Sequence, residues 1–81
     1  SAHDLANRGI LVNAISPGFV KTSLTKKILS GNEIRKLSSA IPMKRMAIPK
    51  EIASCVLFLS SSENTYITGQ NIIIDGGFSS K

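Results

Sequence analysis

The 81-residue sequence predicts an α/β fold in which two parallel strands are joined by a long helical crossover. Two apolar runs supply the strands. Residues 10–16 are apolar on both faces apart from Asn13, and residues 70–75 hold Asn71-Ile72-Ile73-Ile74. Runs without alternation suit parallel strands covered by helices on both faces. A strand, a helical stretch and a second strand in that order imply a parallel pair with a right-handed connection. Each run ends at a glycine-bearing loop, Pro17-Gly18 and Asp75-Gly76-Gly77. In open α/β sheets the carboxyl ends of the strands face the ligand, so these loops mark the ligand-facing end of part of a nucleotide-binding fold.

The elements follow in chain order. Residues 1–8 carry Ala2, Leu5 and Ala6 in helical spacing, with Ser1 and Asp4 as candidate caps and Gly9 as a stop signal. His3 reads as an exposed residue of that helix. The strand at 10–16 is ended by Pro17-Gly18. Residues 22–30 place Leu24, Ile28 and Leu29 on a short amphipathic helix. Asn32 is the expected cap of a second short helix, 33–40, with Ile34 and Leu37 on one face, ended by Ile41-Pro42. Pro49-Lys50-Glu51 opens the longest helix, 49–60, with proline in the first turn and an acid near the positive end of the dipole. Ile52, Ala53, Val56, Leu57 and Leu59, with Phe58 off to the side, give it an apolar surface wider than one stripe, which predicts burial on more than one side. Thr65 to Gly69 is a turn region leading to the last strand.

Composition narrows the class. The chain is 42% hydrophobic and 19% charged, ordinary for a globular protein and unlike a disordered one. A single cysteine, Cys55, forms neither an internal disulfide nor a thiolate zinc site and reads as a small buried hydrophobe of a reducing, cytoplasmic protein. No run approaches the roughly 18 apolar residues of a membrane span, and no signal peptide is visible. The net charge is +5, with Lys21, Lys26, Lys27, Arg35, Lys36, Lys44, Arg45 and Lys50 in the middle of the chain. A solvated basic face and a surface for an anionic partner both explain them. Nucleic acid is not expected as a partner, since no nucleic-acid motif and little aromatic interleaving accompany the charge.

Five blocks in order carry a resemblance: residues 9–22 ending in Ser16-Pro17-Gly18-Phe19-Val20-Lys21-Thr22, then Ile41-Pro42-Met43-Lys44-Arg45, Pro49-Lys50-Glu51-Ile52-Ala53, Tyr66-Ile67-Thr68-Gly69-Gln70 and Asp75-Gly76-Gly77. Together they resemble the C-terminal third of the short-chain dehydrogenases/reductases, most closely the β-ketoacyl-acyl carrier protein reductase type. Leu11 stands where that family often has arginine. The resemblance implies the C-terminal part of a doubly wound, Rossmann-like parallel sheet and one partial domain over residues 1–81. Its parts would be the end of the catalytic helix at 1–8, a strand at 10–16, a cofactor loop and lid at 17–46, a helix at 49–60 and the last strand at 70–75.

It also implies an NAD or NADP cofactor in the complete enzyme. Pro17 and Gly18 would shape the loop under the nicotinamide ring, Gly18 because no Cβ obstructs the approach. The Val20 backbone would pair with the carboxamide, and the Thr22 hydroxyl would reach the carboxamide or the pyrophosphate. Residues 23–46 correspond to the substrate lid, with Phe19, Leu24 and Met43 as candidate pocket walls. Arg45 and Glu51 are expected to pair and brace the start of the long helix. Asn13 is expected to bridge neighbouring backbone, since a buried amide must find partners.

The chemistry of that family needs a tyrosine whose proton is released with the help of a lysine. The one tyrosine, Tyr66, has Gln70 four residues on, and neither a Gly-x-x-x-Gly-x-Gly turn nor an identifiable catalytic serine is present. The expectation is therefore a part of an oxidoreductase that reduces a small-molecule or carrier-bound carbonyl, possesses no catalytic residue of its own, forms homo-oligomers through 49–60 and 70–75, and binds neither metal nor membrane. The alternative is a truncated, non-catalytic interaction module that docks on an intact reductase.

Overall fold

Two parallel strands form the sheet of the computed structural model, which describes residues 2–80; the candidate cap Ser1 lies outside the described residues. β1 (Ala14–Pro17) pairs with β2 (Asn71–Ile74) in the register Ala14 to Asn71 through Pro17 to Ile74. Helices α1 (Ala2–Ala6), α2 (Ser23–Ile28), α3 (Gly31–Ser39) and α4 (Pro49–Ser60) complete the expected α/β order, with a short 3-10 turn at Phe78–Ser80.

β1 is shorter than the apolar run that predicts it, and side chains explain the difference. The Val12 N–H donates to the Thr68 hydroxyl at 2.9 Å, and the Gln70 N–H donates to the Asn13 amide oxygen at 3.0 Å. Side-chain oxygens thus share with one backbone bond, Gly69 N–H to the Val12 carbonyl at 2.7 Å, the pairing of Val12 and Asn13 with the turn region, and residues 10–13 run beside it without forming a strand. The Asn13 amide also donates to the Ile67 carbonyl at 2.9 Å, so it bridges neighbouring backbone as expected, from just before β1. Pairing continues past the other end of β1, where the Gly18 N–H donates to the Ile74 carbonyl at 2.9 Å.

Local chemistry sets the helix ends. Gly9, at φ +75°, closes α1 with Gly9 N–H to Ala6 and Ile10 N–H to Leu5 bonds, the paired pattern of a glycine C-cap. Thr22 and Ser30 cap α2 and α3 through reciprocal bonds with Thr25 and Glu33. Ser30 therefore displaces Asn32, the expected cap of α3. Asn32 sits inside the first turn and accepts a bond from Arg35. In α4, Pro49 occupies the first turn and Glu51 accepts from the Ile48 N–H at 3.0 Å.

Packing is thin. Among the described hydrophobic residues only Ile41 and Met46 are buried. The radius of gyration is 15.7 Å, against about 12 Å for a compact domain of this length. Ile52, Cys55 and Leu59 form a half-buried stripe on α4, whereas Val56, Leu57 and Phe58 are exposed. The broad apolar surface of this helix is thus uncovered on its outer side, contrary to the expectation of burial on more than one side, and Cys55 is half-buried rather than enclosed. Two strands and a few short helices cannot cover one another's apolar faces.

Candidate functional site at the carboxyl end of the strands

Beyond β1 the chain forms a narrow ledge. The Ala47 N–H donates to the Phe19 carbonyl at 2.9 Å and the Lys21 N–H donates to the Ala47 carbonyl at 2.8 Å, a parallel bridge between Val20 and Ala47. In that geometry Ala47 uses both its backbone groups, while those of Val20 turn away from the bridge. The Val20 N–H has no partner among the described residues. The Val20 carbonyl accepts the Thr25 hydroxyl at 3.3 Å and keeps room for a second donor.

Thr22 follows at the start of α2. Its hydroxyl accepts from the Thr25 N–H at 3.3 Å and lies 3.2 Å from the Thr25 hydroxyl. It is a helix cap, yet a hydroxyl carries one proton and two lone pairs, so it retains capacity for a ligand. Pro17, Val20 and Thr22 are brought together along an open apolar groove, facing Pro49, Ile52 and Val56 of α4.

Gly18 has a reason of its own. A Cβ there would stand 2.7 Å from the Asp75 Cβ and 3.0 Å from its Cα. The close approach that requires glycine is made by Asp75, directly after β2, and not only by a flat ring as the sequence suggests. Asp75 is fixed in turn by bonds from the Gly77 and Ser79 N–H groups at 3.0 and 2.9 Å. The Ser79 bonds in particular hold its carboxyl below the usual carboxylate range.

Phe19 and Met43 come together. They line one cavity of about 90 Å³, with Ile41, Arg45, Glu51 and Asp75 among the other walls. Leu24, the third expected wall, is not brought to them and is 61% exposed on α2. At the rim, Arg45 and Glu51 form the expected pair through two bonds of 2.8 and 2.7 Å. Those bonds, with the Ile48 N–H, bring the Glu51 carboxyl down to about 2. The other basic residues of the middle segment are exposed, and Lys44 reaches the Ser39 carbonyl at 2.9 Å.

Sequence reasoning missed two partners of this site. Ala47, which sets the bridge, lies between Met46 and Ile48 with no motif to flag it. Phe78 packs edge-on to Phe19, with ring centres 5.4 Å apart, and an aromatic residue directly after Gly76-Gly77 was its only signal.

Residues 1–79 match the family model described as enoyl-(acyl carrier protein) reductase. The chain is 51% identical over 76 residues to the 3-oxoacyl-[acyl-carrier-protein] reductase of Buchnera aphidicola subsp. Schizaphis graminum, covering 94% of this chain and 31% of that protein. It is 45% identical over 80 residues to a ribulose-forming D-arabinitol 2-dehydrogenase of Candida albicans, covering 95% and 28%. Among solved structures it superposes on ElxO with NADP bound at a TM-score of 0.90 and 34% identity, covering 99% of this chain and 33% of that one. A 4-hydroxyisoleucine dehydrogenase complexed with NADH gives a TM-score of 0.85 at 33% identity, with the same coverage. The chain spans about a third of the length of these relatives. Among the described residues no helix is long and apolar enough to cross a membrane, and no group of three or more His, Cys, Asp or Glu side chains is placed to hold a metal.

Proposed function

We propose that this chain, which belongs to the short-chain dehydrogenase/reductase family, supplies the nicotinamide-side wall and the substrate lid of an NAD(P)-dependent oxidoreductase acting between a carbonyl and an alcohol. The observation that carries the reading is the unpartnered Val20 N–H on a ledge held by the Val20–Ala47 bridge. Val20 is half-buried, and its N–H, left without a protein partner, is open to a carboxamide oxygen. The Val20 carbonyl and the Thr22 hydroxyl lie on the same ledge and suit the carboxamide nitrogen and oxygen. The residues therefore fit a nicotinamide cofactor.

When bound, that cofactor supplies the hydride. The residues of this chain bind and orient. Pro17 and Gly18 hold the loop against β2, Val20 and Thr22 fix the carboxamide, and Phe19 and Met43 wall the space for the carbonyl substrate. Residues 23–46, as the lid, exclude water from that space. The proton that completes reduction has no donor pair here, because the sequence has no Tyr-x-x-x-Lys. Among substrates we favour a 3-oxoacyl thioester on an acidic carrier, drawn by the exposed basic face of the lid, with a ketose as the competitor that the D-arabinitol 2-dehydrogenase match raises.

Full-length protein carrying these residues is expected to oxidise reduced cofactor with a 3-oxoacyl thioester, and Thr22→Val is expected to raise the cofactor KM by about tenfold, the loss of one good hydrogen bond. Turnover with a ketose alone would refute the thioester assignment. An unchanged cofactor KM would refute the role of Thr22.

A second surface is proposed from the exposed apolar side of α4 and β2, where Leu57 is 70% and Ile73 54% exposed. We assign it to pairing with another copy through 49–60 and 70–75. Sedimentation should show concentration-dependent association, and a monomer at every concentration with a sharp thermal transition would refute it. The alternative, a non-catalytic module docking on an intact reductase, is separated by reading the DNA upstream of Ser1. An in-frame Tyr-x-x-x-Lys codes for an enzyme, and a stop codon or start codon there favours the module or a decayed gene.

A further inference from the structure

The turn after β2 touches both halves of the proposed site. It is fastened internally by the two Asp75 carboxylate bonds and by Phe78 N–H to Asp75 and Ser80 N–H to Gly77 bonds of 3.2 and 3.1 Å. Its glycines are left-handed, Gly76 at φ +63° and Gly77 at φ +92°. On one side it meets the cofactor loop. Gly18 packs on Asp75 with no room for a Cβ, and Phe78 sets its ring edge-to-face against Phe19.

On the other side it meets the far end of the lid. The Gly76 carbonyl accepts the Met43 N–H at 3.1 Å. A Cβ on Gly76 would stand 2.9 Å from the Ile41 Cγ2, and one on Gly77 would stand 3.2 Å from the Pro42 Cβ. Ile41, at 2% exposure, is the most enclosed large side chain among the described residues. A turn that only ended the sheet would need no such grip on residues 41–43. Between the two contacts lies the cavity of about 90 Å³, with Phe19 on one wall, Met43 on the other and Ile74 to Gly76 forming another side.

We propose that the turn 75–78 is a positioning element that sets the distance between the cofactor loop and the lid, so that Gly76 governs the depth of the pocket and the carbonyl substrates it accepts while Phe78 governs the seating of the cofactor loop. This rests on the reading of 17–22 as cofactor loop and 23–46 as lid. Neither residue is catalytic; each acts through a neighbour, Gly76 through Ile41 and Met43, Phe78 through Phe19. The two contacts are separate, so their effects are separable. The added methyl of Gly76→Ala pushes the lid end outward, whereas Phe78→Leu loosens the cofactor loop and leaves the lid end held.

The test uses full-length protein carrying this chain, with steady-state kinetics in reduced cofactor and in a 3-oxoacyl thioester, and amide hydrogen exchange in parallel. Gly76→Ala is expected to lower kcat/KM for the carbonyl substrate about tenfold with the cofactor KM within about twofold, since a displacement of about 1 Å costs up to roughly 10²-fold in rate. Its exchange should quicken in 36–43 and stay unchanged in 49–60. Phe78→Leu should raise the cofactor KM and leave exchange in 36–43 unchanged. A purely structural turn instead predicts that both variants shift both constants together, in step with lost thermal stability, and that result overturns the proposal, as does wild-type behaviour of both. If the wild-type protein binds no reduced cofactor, the functional reading falls. If it binds and turns over while the variants fail to separate, only the role of the turn falls.

Discussion

Replacing Gly18 by alanine tests how tightly Asp75, directly after β2, closes on the loop at residues 17–22. The new Cβ would stand 2.7 Å from the Asp75 Cβ, about 0.7 Å inside ordinary contact, and 3.0 Å from the Asp75 Cα. Neither neighbour is the far end of a flexible side chain. The Gly18 N–H is bonded to the Ile74 carbonyl at 2.9 Å, and Asp75 is held by two backbone donors, so the strain cannot relax by a rotamer change. Overpacking of this kind costs about 1–3 kcal/mol, and backbone as the obstacle places Gly18→Ala near about 3. Gly31→Ala is the control. It lies at the first position of α3 with nothing within 4 Å of its would-be Cβ, and should gain about 0.5 kcal/mol. Urea titration followed by circular dichroism reads both. Wild-type stability of Gly18→Ala would refute the close approach.

Other predictions follow from single contacts. Asn64, at 6% exposure, ties the Leu59 and Ile67 carbonyls and the Ile67 N–H with bonds of 2.9–3.1 Å. Asn64→Ala should cost about 1–3 kcal/mol in the same titration, and Asn64→Asp, which loses both donors, should not rescue it. Lys44 is the one described non-glycine residue at positive φ, +63°, so Lys44→Gly should stabilise by about 0.5–1 kcal/mol, less than the full left-handed penalty because glycine loosens the unfolded chain. The Glu51 carboxyl lies at about 2 in the folded chain against its ordinary 4.5, chiefly through Arg45. A depressed acid stabilises above its unfolded value, so this contribution is complete above pH 4.5 and is lost as the pH falls towards 2. Asp75 is shifted the same way. Glu51→Gln should flatten that part of the stability profile, and an unchanged acid limb would contradict the pairing.

Much of the fold was legible because local chemistry and tertiary packing agreed. Pro49 and Glu51 announced α4 to the residue, and Gly9 announced the end of α1. The parallel pairing of the two apolar runs followed from the crossover between them. The bounds of β1 were less legible, because the Thr68 hydroxyl takes the Val12 N–H and the Asn13 amide oxygen takes the Gln70 N–H, and periodicity carries no record of bonds made so far along the chain. Ser30 and Asn32 are both good caps, and the Glu33 carboxylate three residues after Ser30 decides between them. At the site, Phe19 and Met43 line one cavity while Leu24 stands exposed on α2. The reason for Gly18 lies in Asp75, far along the chain, and the ledge at Val20 depends on Ala47, whose small apolar side chain carries no chemical signal.

We propose the Val20 N–H as the donor that meets a nicotinamide carboxamide. The most direct measurement is the Val20 amide resonance in isotope-labelled full-length protein titrated with NADPH or NADH. A saturable downfield shift at Val20, with smaller changes at Thr22 and none across α4, is the predicted result. A Val20 amide that does not move while the cofactor binds would contradict it.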